Sequence, residues 1–80
     1  MATDRLGIHW TPFLRTGAVL RVKANLDTRY EFCAMGGLWL VLQHHEGRIL
    51  EAGRGNLNTA LAVWNEILLA DARSRLPSRP

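Results

Sequence analysis

The sequence predicts a small α+β domain: an antiparallel β-meander of three to four strands, packed on one face by a C-terminal amphipathic helix. Three observations carry that reading. Apolar and polar residues alternate through much of residues 20–53, two-residue turn signals stand at Gly36-Gly37 and Glu46-Gly47, and residues 56–76 contain neither glycine nor proline.

Taken in order, Leu6, Ile8 and Trp10 alternate with Gly7 and His9, which suggests a short extended piece ending at Pro12. Residues 1–17 are therefore expected to form an N-terminal extended segment, and residues 18–73 the folded meander and helix. Leu20, Val22 and Ala24 alternate with Arg21, Lys23 and Asn25, the period-two pattern of a half-buried strand, and Asp27-Thr28 supplies a turn. Residues 29–35 alternate again. Gly36-Gly37 permits the positive φ values of a two-residue hairpin turn, residues 38–44 form the next strand, and Glu46-Gly47 turns the chain into a strand over 48–53.

After a loop at Gly53-Arg54-Gly55-Asn56, Asn58 is the expected N-cap of a helix that runs to about Arg73. At about 100° per residue, Leu57, Ala60, Leu61, Trp64, Ile67, Leu68 and Ala72 share one broad face. Asp71 lies inside that arc, so the helix should pass the edge of its contact by then. Residues 74–80, with Pro77 and Pro80, are expected to be a disordered tail.

If both turns hold, cross-strand partners share a face. One face then carries Tyr30, Phe32, Ala34, Trp39, Val41, Gln43, Leu50 and Ala52; being bulkier and free of charge, it is placed under the helix, with Trp64 near Phe32 and Trp39. The other face carries Cys33, Met35, Leu38, Leu40, Leu42 and Ile49 at its centre, with Arg29, Glu31 and Glu51 around them. An apolar patch rimmed by charge marks an interface. Those six apolar residues are the expected partner-binding set for a homodimer or another protein, unless the N-terminal segment with Leu6, Ile8, Trp10, Phe13 and Leu14 folds back over them.

Composition narrows the class. Eighty residues bury only about 60–65% of the unfolded chain's surface, which limits the chain to one marginal core. A 48% hydrophobic and 21% charged content belongs to a folded chain rather than a disordered one. The single Cys33 rules out an internal disulfide, and with no signal-like or spanning apolar run a cytoplasmic protein without membrane attachment is expected. The net charge of +3 is spread evenly, without a basic block. Nine of the ten basic residues are arginine, a choice that GC-rich codons favour, which suits an accessory gene of a GC-rich bacterium or its phage.

No motif carries chemistry. His44-His45 lacks the paired ligands of a structural zinc site, and Cys33 sits mid-strand with no positioned base. Serines occur only as Ser74 and Ser78 in the expected tail, and no carboxylates are paired for acid–base work. Gly53-Arg54-Gly55-Asn56 before a helix could seat a phosphate but lacks the ending of a P-loop. The expectation is a non-enzymatic interaction or regulatory domain without a cofactor, self-associating through the open face of its sheet. The rival is a small nucleic-acid-binding protein using Arg21, Lys23, Arg29 and Arg54, with Tyr30, Phe32 and Trp39 as a stacking platform should the faces be reversed. The hairpin-then-helix order resembles, in architecture alone, the C-terminal part of double-stranded-RNA-binding domains and small antitoxin-like domains. Asn56-Leu57-Asn58-Thr59 stands where those RNA binders have a basic helix start.

Overall fold

The two turns set the register of the central sheet. In the computed structural model, which describes residues 2–3, 6–24 and 29–74, Gly36 and Gly37 take φ of 56° and 81°, and Glu46 and Gly47 take 50° and 75°. Two consecutive positive φ values match the right-handed twist of the flanking strands, so each turn closes a tight hairpin. The strands are β1 (Ala2–Thr3), β2 (His9–Pro12), β3 (Val19–Ala24), β4 (Tyr30–Met35), β5 (Leu38–His45) and β6 (Arg48–Gly55), followed by helix α1 (Leu57–Ser74).

Strands β3 to β6 form the predicted antiparallel meander, and β2 adds to the free side of β6 through the partners Thr11–Glu51 and Pro12–Leu50. The resulting five-strand sheet has the order β2-β6-β5-β4-β3, extended past β2 by the two-residue β1. This exceeds the three to four strands expected. Its extra member comes from the N-terminal segment, and Pro12, which has no N–H to donate, lies at the strand's end. The turn expected at Asp27-Thr28, and the tail beyond Ser74, lie outside the described residues.

Cross-strand partners Phe32–Val41, Ala34–Trp39, Val41–Ala52 and Gln43–Leu50 place the bulkier set on one face, as the alternation predicts. The helix covers that face over β6 and β5. Ala60, Trp64 and Ile67 are buried there with Phe32, Val41 and Ala52, and Ile8 and Trp10 complete the cluster. Trp64 meets Phe32 at 5.8 Å between ring centroids, and Phe32 stacks on Trp39 at 5.5 Å. Leu57 and Leu68, expected in the contact, stay exposed, because the buried stripe is rotated toward Ala60 and Val63.

Two local features correct the sequence reading. Strand β6 continues through Gly53 to Gly55, where a loop was expected, by means of a bulge: between the partners Trp39–Gly55 and Val41–Ala52, three steps on β6 oppose two on β5. Gly53 takes φ 67° there, and a Cβ on it would stand 2.9 Å from the Val63 side chain and 3.3 Å from the Ala60 Cα, so only glycine lets the helix lie this close. The helix begins accordingly early. Asn56, rather than Asn58, is its N-cap, its Oδ1 accepting the Thr59 N–H at 2.9 Å.

Candidate functional site

The second face of the sheet is not open. Residues 13–18 leave β2 at one edge, cross that face and enter β3 at the other edge. Four strand spacings of about 4.8 Å separate the edges, and six extended residues reach about 20 Å, so this strap has little slack. Cys33, Met35, Leu40 and Leu42 are buried beneath it, with Phe13 and Val19 packed against them.

Polar pins hold the strap down. The Phe13 N–H donates to the Ile49 carbonyl at 3.0 Å, and the Leu14 N–H donates to Glu51 Oε2 at 2.8 Å. Arg54 closes the circuit: its Nε donates to Glu51 Oε1 at 2.6 Å, and its Nη2 to Glu51 Oε2 and the Leu14 carbonyl, each at 2.6 Å. The β6 bulge makes this possible, since it turns residues 51 and 54 to the same face where strict alternation would separate them. Glu51, expected on the charged rim, is instead buried at 7% exposure. Burial pushes its carboxyl up, but the Arg54 and Leu14 donors and the Arg54 charge more than offset this, leaving it below the usual value.

The strap divides the expected partner-binding set. Cys33, Met35, Leu40 and Leu42 lie under it, whereas Leu38 and Ile49 remain 37% and 42% exposed at opposite ends of the hairpins. They do not form one accessible patch. The cover comes from Phe13 and its neighbours, while Leu6, Ile8 and Trp10, expected to share in it, join the helix-side cluster. The thiol of Cys33 is pushed up to about 11 by burial and the nearby Glu31 charge.

The cationic set is dispersed as well. Arg21 lies opposite Cys33 on the strap side, its Nη1 3.2 Å from Glu31 Oε2, while Lys23 lies opposite Phe32 on the helix side. A bulge between them, at Val22, separates the two. Arg29 is exposed just before β4, and Arg54 is committed to the strap near the other edge. Phe32 is buried under the helix, and Tyr30 and Trp39 pack against the same cluster, so the aromatics present no open stacking face.

Three polar groups meet across the strands. Glu31 accepts from Arg21 and lies 3.0 Å from His44 Nε2; burial raises its carboxyl, and these two partners bring it below the ordinary value. Among the described residues, no group of three or more His, Cys, Asp or Glu is placed to hold a metal ion. His45, Glu46 and Arg48 line a depression at the β5–β6 turn. Among the described residues, no helix is long and apolar enough to cross a membrane.

Strand β3 is the most exposed of the longer strands. It forms the outer edge of the sheet, five of its six residues are exposed, and Leu20 and Val22 are 66% and 45% accessible. Sequence reasoning took it for a half-buried strand. The only hint against that reading was the pair of cations within it. No family model matches the chain, and neither do any curated proteins or solved structures.

Proposed function

We propose that this chain is a non-enzymatic protein-interaction domain of regulatory type, taking its partner as an added strand along the outer edge of β3. One observation carries the reading: helix and strap cover the centre of the sheet on its two faces, yet a six-residue edge strand is left with Leu20 and Val22 exposed. An edge strand presents a row of unpaired N–H and C=O groups, and an extended segment that joins it gains main-chain hydrogen bonds and pockets for alternate side chains. Self-association through the second face, expected from the sequence, is not part of this reading, because Cys33, Met35, Leu40 and Leu42 are buried under the strap.

The absence of catalysis is part of the proposal. The lone thiol is buried and protonated at neutral pH, and Glu31 and Glu51 are each engaged with an arginine. A cytoplasmic location is also proposed, resting on that single unpaired cysteine.

Amide hydrogen exchange tests the edge directly. Strand-forming peptides should slow exchange within residues 19–24 and leave β5 unaffected, and Val22→Pro, which removes a backbone donor, should abolish the effect while the helix signal in circular dichroism persists. Protection appearing at residues 40–42 instead would move the site to the strapped face and defeat the proposal.

A further inference from the structure

We infer that the strand received by β3 is an acidic extended segment of another protein, and not a second copy of this chain; the inference rests on the edge reading above. The bulge at Val22 sets Arg21 on the strap side and Lys23 on the helix side, so an added strand meets a cation whichever face its side chains take. The acid beside them, Glu31, already accepts from Arg21 and lies 3.0 Å from His44. Lys23 is exposed and has no ion-pair partner among the described residues.

A second copy fits this edge badly. Two β3 strands paired antiparallel about a two-fold axis bring both Arg21 and both Lys23 side chains into one short ladder, and the new seam gains no carboxylate. Like charges facing each other across a ladder are destabilising, while opposite charges there are favourable. Carboxylates on the incoming strand reverse the sign at both cations, and apolar residues between them bury Leu20 and Val22. A nucleic acid could neutralise the cations, but its backbone offers no N–H groups for the ladder and no side chains to cover Leu20 and Val22.

The probes are two capped decapeptides, one alternating valine with glutamate and the other valine with lysine, titrated against the full chain at two salt concentrations. Binding is read by fluorescence anisotropy and by exchange protection over residues 19–24. The glutamate peptide is expected to bind at least about tenfold more tightly than the lysine peptide, with the gap narrowing as salt rises. Lys23→Glu, at an exposed site, should remove most of the preference, leaving only the part that Arg21 supplies.

Equal protection by both peptides would overturn the acidic selectivity while leaving the edge reading intact. Protection by neither would overturn both. A single-stranded oligonucleotide that displaces the glutamate peptide and itself protects residues 19–24 would overturn the choice of a protein partner. Concentration-dependent protection of those residues without any peptide, with the mass doubling in light scattering, would show that a second copy takes the edge and overturn the inference.

Discussion

On one side of the sheet an 18-residue helix lays Ala60, Trp64 and Ile67 against Phe32, Val41 and Ala52; on the other, six residues of irregular chain hold Phe13 against Cys33, Met35, Leu40 and Leu42. The helix covers by area. It satisfies its own backbone groups internally, so its only requirements are an apolar stripe and a place close enough to sit, which Gly53 provides. The strap has too few side chains to cover by area, and its backbone groups must find partners outside themselves. Ile49 and the Glu51–Arg54 pair supply those partners for Phe13 and Leu14. A short chain can thus close two faces of a sheet when one cover is held by surface and the other by a few directed bonds.

Removing the largest side chain of the helix side should give the greatest loss. Trp64→Ala is expected to cost about 3–5 kcal/mol in urea denaturation, close to the whole stability of so small a domain. Trp64→Phe should cost much less, because it keeps most of the ring and removes an indole N–H that is buried without a partner among the described residues. Equal losses from the two variants would show that the ring's volume is not what holds the helix down.

The strap should answer to charge instead. Glu51→Ala leaves the Leu14 N–H and Arg54 without their acceptor and is expected to cost about 1–3 kcal/mol, with new binding of a hydrophobic dye to the uncovered face. Acid should act in the same direction. Glu31 and Glu51 both have folded-state values below their ordinary 4.5, so their contribution is fully present above that pH and is lost as pH falls through the lowered values. Glu51→Gln should flatten this acid loss, while Trp64→Phe should leave its pH dependence as in the wild type.

The smallest effect is chemical and sharpens the same contrast. With its thiol pushed from 9.0 to about 11, Cys33 should hold roughly 100-fold less thiolate than an ordinary cysteine near pH 8 and react correspondingly slowly with a disulfide reagent. Glu51→Ala should speed that reaction well before global unfolding; Trp64→Phe should not. A native rate equal to the unfolded rate would mean that the strap does not shield the face.

Much of this was legible in the residues. Gly36-Gly37 and Glu46-Gly47 fix the hairpins, period-two alternation sorts the side chains of residues 30–52 onto their faces, and the 3.6-residue period places Trp64 over Phe32. Interruptions of a period were what hid the rest. Gly53-Arg54-Gly55 reads as a loop because glycines break strands, whereas here Gly53 serves a bulge and a close helix approach. Leu20 and Ala24 look like one face of a strand, but the bulge at Val22 sends them to opposite sides, opposite Ala34 and Glu31. The strap has no period at all. Its position depends on bonds between Leu14 and residues 37 and 40 positions away, which no local pattern encodes.

That separation sets an order of events for the chain as it folds. Hairpins closed by two-residue turns form within microseconds, while pairing β2 with β6 must first bring together segments some 40 positions apart. On a ribosome the strap emerges first and β6 last among the strands, so the Leu40 row waits bare until Ile49, Glu51 and Arg54 exist to hold the cover down. The strand made last thus both completes the sheet and fastens the cover that was made first.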